Sequence, residues 1–175
     1  MLNALHKRTI QAIVNIFETG TAHGDYGRVA VVAGDAGHLT YGRSQTTLGS
    51  GNLYFLIRAY CEALDATHAR ALTGYLDALE QRNLALDDDG VLRDLLRNAG
   101  EDPVMHAVQD AFFDRRYWEP SVRAAADIDI QTPLGTAVVY DSWIHGGWKY
   151  RWAESQARLK DRHMTGEVDS IAEYI

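Results

Sequence analysis

Residues 16–52 read IFETGTAHGDYGRVAVVAGDAGHLTYGRSQTTLGSGN, and this stretch decides the fold. On its N-terminal side, Leu2, Leu5, Ile10, Ile13, Val14 and Phe17 recur at helical spacing. A first helix therefore runs into the stretch and is expected to end near Thr19-Gly20, where glycine releases the chain. Glu18 then occupies the last turn, beside the negative end of the helix dipole. That placement disfavours a carboxylate and pushes its pKa upward. Arg28 to Val32 is short and β-branched, a strand candidate. Ala33 to Gly37 reads as a turn carrying Asp35, with His38 to Tyr41 as the return strand. Gly49-Ser50-Gly51 is a second flexible point.

From Asn52 onward the chain reads helical almost throughout. Leu53 to Leu64 is one expected helix and Ala66 to Leu86 another. Asp87-Asp88-Asp89-Gly90 breaks the pattern. Its aspartates are similar to a calcium loop, but the glutamate such a loop needs at its twelfth position is absent. A solvated turn with helix-capping aspartates is the expectation. Val91 to Asn98 is a short helix closed by Gly100. Pro103 starts the next, and Pro120 should kink or restart it. Thr132-Pro133 is an N-cap followed by proline, leading a helix that Gly146-Gly147 ends. Trp148 to Arg162 is expected to be helical, with a last helical segment beyond Gly166. One helix, a small β element and a mostly helical body make an α+β fold with a minor β lobe. A cleft between lobes is a common place for a ligand.

At 175 residues the chain is long enough to bury a real core and is expected to be one domain over 1–175, with two lobes. Hydrophobic content of 46% and charged content of 23% are those of a globular protein in water. The formal charge of −7 argues against nucleic acid, which needs a basic patch. It weakly favours a cationic partner. Cys61 is the only cysteine, so no intrachain disulfide forms; within LIRAYCEAL it reads as core rather than nucleophile. No run approaches the roughly 18 apolar residues of a membrane helix. The N-terminus lacks a cleavage pattern and reads as the first helix, not as a leader. An enzyme that acts outside the cytoplasm would then be exported by another route, delivered by a phage, or be part of a longer chain. A monomer without cofactor or metal is expected.

Two acids on separate elements suit hydrolysis of a glycosidic bond. One must be protonated to reach the leaving oxygen. The other activates water at a separation of roughly 6.5–9.5 Å in an inverting enzyme, or attacks directly at about 5 Å in a retaining one. Glu18 and Asp35 are the candidates, and the flanking Gly34 and Gly37 let a sugar approach the backbone. Thr40 could hold the attacking water through its hydroxyl. The competing reading is plain: a helix-end glutamate as a surface charge, and Asp35 as an Asx-turn residue.

The stretch resembles the catalytic region of family 46 glycoside hydrolases, the chitosanases of the lysozyme-like superfamily. That family shows a helix-end glutamate, a variable loop, G-D-G-x-G-[YF]-T-x-G and then G-[ST]-G-D. This chain has FETGT, GDAGHLTYG and GSGN. The resemblance implies a mostly helical, two-lobed lysozyme-like fold, Glu18 as general acid, Asp35 as general base and Thr40 as the residue that positions water. Further on, PVMHAVQDAFFDRRYWEPSVRAA and LGTAVVYDSWIHGG resemble two helices of the family, so the likeness extends over about residues 10–147. The chain departs from the pattern where the family's amine-binding aspartate is replaced by Asn52, and where the arginine after G-D-G is replaced by Gly37. Asn52 cannot pair with an ammonium but can donate to an N-acetyl carbonyl. The expected substrate is therefore an N-acetylated amino-sugar polymer, with peptidoglycan preferred and chitosan the alternative. A non-catalytic glycan-binding module is a further alternative.

Other candidates carry two readings each. Tyr26, Tyr41, Trp143, Trp148 and Trp152 are sugar-stacking rings or core. His145 is a helix C-cap or a sugar contact. His23 with Asp25 makes a weak metal pattern, better read as cleft lining or surface. Arg115, Arg116 and Arg123 either buttress acids or are solvated.

Overall fold

The computed structural model describes residues 2–164. The chain divides into two compact units, one of residues 1–22 with 115–175 and one of residues 23–114. The first unit is discontinuous in sequence: the opening helix packs with helices that arrive a hundred residues later.

In the first unit, α1 spans Ala4–Thr19. Asn3 caps it by accepting from the His6 backbone N–H, and the His6 ring accepts from the Asn3 N–H in return. Gly20 ends it at φ +77, donating to Ile16 O, as the glycine led one to expect. The helices α7 (Glu119–Asp127), α8 (Pro133–Ile144) and α9 (Trp148–Met164) complete this unit. Thr132 caps α8 by accepting from Gly135 N–H at 3.1 Å. The core joins Ile10 and Val14 of α1 to Ala125 of α7 and Val139 and Tyr140 of α8. Trp118 packs edge-on against Tyr140 with ring centroids 5.3 Å apart. The segment expected beyond Gly166 lies outside the described residues.

The second unit opens with a three-stranded antiparallel sheet of two-residue strands, β1 (Val29–Ala30), β2 (Thr40–Tyr41) and β3 (Thr46–Thr47), in the order β1-β2-β3. Val29 pairs with Tyr41 and Thr40 with Thr47. The expected hairpin is there, shortened to two residues per strand, with a third strand that local pattern did not reveal. α2 (Asn52–Cys61), α3 (Ala69–Thr73), α4 (Leu76–Glu80), a 3-10 turn (Leu84–Asp88), α5 (Gly90–Ala99) and α6 (Pro103–Phe113) follow. The single helix expected over Ala66–Leu86 is thus three short pieces, separated at Gly74 and at Arg82, whose φ is +52. Leu72, Leu79 and Leu86, seven apart, all reach the core. Their regular spacing is what made the segment read as continuous.

The chain leaves this unit through a π-helical turn, Asp114–Trp118. Pro120 was expected to kink or restart the helix, and the helix does restart there: the irregularity falls just upstream and Pro120 lies within the first two positions of α7. The wider turn relieves the clash between the proline ring and the carbonyl four residues back.

Candidate active site

Asp35 sits at the tip of the loop joining β1 to β2, exposed to solvent. Its Oδ1 accepts from Gly37 N–H at 3.1 Å, an Asx turn, and its carbonyl accepts from His38 N–H at 3.2 Å. The Asx-turn reading of this residue holds, and the turn orients the carboxylate while leaving its second oxygen without a hydrogen bond among the described residues. A Cβ on Gly37 would lie 3.2 Å from that second oxygen, so glycine gives the carboxylate its room.

The loop is tied down from two sides. Asp87, on the 3-10 turn, meets His38 Nδ1 at 2.8 Å and accepts from Leu39 N–H at 2.7 Å. The sequence read Asp87 as part of a solvated turn; it is instead a bracket that holds the chain immediately after Asp35. On the other side Leu48 N–H donates to Leu39 O at 2.8 Å, and Gly49 N–H to Gly37 O at 3.0 Å. The β2–β3 ladder thereby runs on into the Gly49-Ser50-Gly51 turn and straps it to the Asp35 loop.

Thr40 is nearly buried, with its hydroxyl 3.1 Å from Ala30 O and 3.3 Å from Gln45 Oε1. One hydroxyl proton serves one of these acceptors at a time, and the oxygen's lone pairs stay available to a water donor. Asn52 is the first residue of α2, with its backbone N–H donating to Ser50 Oγ at 3.3 Å.

Tyr41 does not fit the sugar-binding role expected of it. It is 0% exposed and lies in the core cluster, where burial raises its hydroxyl pKa. Its strand is covered on the side Tyr41 faces, which the local hydropathy pattern did not show. Tyr26 is also taken up by protein contacts. Its ring stacks on His106 at 4.1 Å and lies beneath the Arg43 guanidinium. Its hydroxyl donates to Asp110 at 2.9 Å, and burial raises its pKa. Arg43 binds Asp110 as well, while Gln109, 4% exposed, accepts from Arg43 N–H at 3.0 Å and donates to Tyr26 O at 2.9 Å. A Cβ on Gly42 would fall 2.3 Å from Gln109 Oε1. Tyr26 therefore fastens the entry of the sheet to α6, a role that rests on residues eighty positions away and has no local signature.

Glu18 and His145 belong to the other unit. The backbone of Glu18 lies in the last turn of α1, as expected; its side chain lies outside what the structure describes. His145 forms the C-cap of α8 and is exposed, with Nε2 3.7 Å from Asp141 Oδ1. Trp148 and Trp152 stack on each other at 5.7 Å along α9. Asp25 accepts from Gly27 N–H at 2.9 Å as a turn residue. Cys61 is half-buried, and burial raises its pKa, as befits a packing residue. No described helix is long and apolar enough to cross a membrane.

The Asp35 loop is thus anchored on both sides, and the Thr40 hydroxyl lies on the strand that follows it, in a mostly helical chain. The family model for glycosyl hydrolase family 46 matches residues 12–170, and the chain belongs to that family. A chitosanase of Bacillus subtilis (strain 168) is 27% identical over 149 residues, which are 83% of this chain and 53% of the relative. The chain thus spans about half the length of that relative. Among solved structures, a family 46 chitosanase of Gynuella sunshinyii in complex with chitotetraose is similar at a TM-score of 0.75 and 27% identity, covering 91% of this chain and 69% of the other. A native chitosanase from Bacillus subtilis MY002, at 24% identity and a TM-score of 0.76 over 91% of this chain and 69% of the other, shares the fold. That fold is the lysozyme-like one.

Proposed function

We propose that this chain is a glycoside hydrolase that cleaves a glucosamine-containing polymer of the chitosan type. The observation that carries the reading is the Asp35 loop: a solvent-facing carboxylate, oriented by Gly37 N–H and anchored through Asp87 and Gly49, in a chain whose family match runs through both candidate acids. Glu18, at the end of α1, serves as the general acid that protonates the leaving oxygen. Asp35, ionised, takes a proton from the attacking water, and the Thr40 hydroxyl oxygen accepts a hydrogen bond from that water. Attack from the face opposite the leaving group gives an inverted anomer. The relatives' chitosanase names move the substrate away from peptidoglycan, which the replacement of the family's aspartate by Asn52 alone had favoured.

The test is product release from chitosan and from purified peptidoglycan sacculi by the wild type, E18Q and D35N. Chitosan cleavage by the wild type, with at least a hundredfold loss in each variant, is expected on the usual scale of general acid–base catalysis. An E18Q variant working at the parent rate would remove the acid assignment. Cleavage of sacculi with chitosan untouched would restore the wall substrate, and binding of chitosan without turnover would leave a glycan-binding module.

A further inference from the structure

Gln45 is the last residue of the turn between β2 and β3, and it is half-buried. Its φ is +48, a left-handed backbone that glycine adopts freely and that is unfavourable for a residue with a side chain. Both ends of its amide are engaged. Nε2 donates to Gly42 O at 3.0 Å, the same carbonyl that accepts from the Gln45 backbone N–H at 3.0 Å. Oε1 lies 3.3 Å from the Thr40 hydroxyl. A carbonyl oxygen only accepts, so Gly42 O fixes which end of the amide carries the hydrogens, and the end turned to Thr40 is an acceptor. The other neighbour of that hydroxyl, Ala30 O at 3.1 Å, is an acceptor as well.

Two acceptors, one set by the β1–β2 pairing and one by the turn, thus compete for a single hydroxyl hydrogen. In either setting the hydrogen points at a protein atom, and the oxygen offers only lone pairs to a third partner. A water there must donate to Thr40, which leaves the water's own lone pairs for the reaction. Without the Gln45 amide, the hydroxyl keeps Ala30 O alone and its hydrogen is freer to turn toward the water, where it would occupy a lone pair that attack requires. We propose that Gln45 is a positioning residue that makes the Thr40 hydroxyl an acceptor only toward the nucleophilic water. An unfavourable backbone retained beside a reacting group is consistent with that role. This rests on the reading of Thr40 as the residue that holds the attacking water.

The experiment is steady-state kinetics on chitosan oligomers for the wild type, Q45L, Q45G, T40V, Q45L/T40V and Q45G/T40V, with thermal unfolding of each. Gln45→Leu keeps the bulk and removes both side-chain hydrogen bonds. Gln45→Gly suits the φ of +48, so this variant folds even where leucine is strained. In both, kcat is expected to fall by about fivefold, the scale of one neutral hydrogen bond, with KM little changed. Thr40→Val is expected to lower kcat by at least as much. Neither Gln45 substitution should lower kcat further once Thr40 is valine, because no hydroxyl is left to orient. An unchanged kcat in Q45G, or a fall of the same size in the T40V background, overturns the role of Gln45 and leaves the hydrolase reading standing. A wild type that cleaves no chitosan oligomer removes both.

Discussion

Asp87 accepts two hydrogen bonds that no other described residue supplies, from the Leu39 N–H and from His38. Asp87→Ala leaves the N–H of a fully buried residue without a partner, which costs about 1–3 kcal/mol. Because the freed chain is the one that carries Asp35, kcat should also fall, by roughly tenfold, with KM little changed. Asp87→Asn keeps an acceptor for Leu39 N–H and should recover most of the stability; urea unfolding and steady-state kinetics on one set of samples check both halves. Asp102 makes a second residue-scale case. The residue is 8% exposed, and its carboxylate accepts from Tyr60 hydroxyl at 2.6 Å, Val104 N–H at 2.8 Å and Thr67 N–H at 2.9 Å. The Tyr60 hydroxyl foremost, then these N–H groups, lower its pKa to about 2. An unfolded aspartate titrates near about 3.9. The folded value lies below the unfolded one, so this stabilisation is complete above about pH 4 and is lost as pH falls toward about 2. The urea midpoint should drop over that window in the wild type and less steeply in Asp102→Asn; parallel curves would show that Asp102 does not carry the acid limb. The helix start at Pro103 is legible in the sequence, and Asp102 proves to be its N-cap. The hydrogen bond to Tyr60, forty-two residues away, is not.

At the scale of elements, what the sequence showed and what it hid divide by range. The end of α1 at Gly20, the caps at Asp89 and Thr132 and the proline start of α6 are local chemistry, and each lies where the residues point. β3 was missed because two threonines leave no alternation to read, and its pairing continues only through backbone bonds from Leu48 and Gly49 to a loop ten residues earlier. The broken helix over residues 66–86 was missed because Ala and Leu favour a continuous helix, while the core accepts Leu72, Leu79 and Leu86 from three separate pieces. The strap that β3 begins has its own test. Gly49→Ala sets a methyl against Ala36 O, a backbone atom that cannot rotate away. A loss of about 1–3 kcal/mol is expected from the overpacking, measured by thermal unfolding. The activity left in folded protein should fall as well, because relief of the clash displaces the Asp35 loop. Thermal stability unchanged from the wild type would mean that the strap is looser than the Gly37–Gly49 bond implies.

Over the whole molecule, the discontinuous unit was beyond local reading: nothing in residues 1–22 announces that they pack with residues 115 onward, and the two candidate acids belong to different units as a result. Charge, by contrast, is a whole-chain property that sequence gives directly. On the proposed chitosan reading a net −7 meets a polymer that carries an ammonium on each free amino sugar, and such attraction acts before any subsite is filled. Salt shortens its reach from about 30 Å at 0.01 M to about 3 Å at 1 M. Raising sodium chloride from about 0.02 M to about 0.5 M should therefore lower kcat/KM on long chitosan several-fold, through KM, while kcat stays nearly constant. Oligomers rich in N-acetyl units lack most of that charge and should respond little. The contrast separates long-range attraction from local recognition at the site. Equal salt responses for the two substrates would mean that the −7 is distributed away from the path the polymer takes, and that encounter is governed by contacts at the site alone.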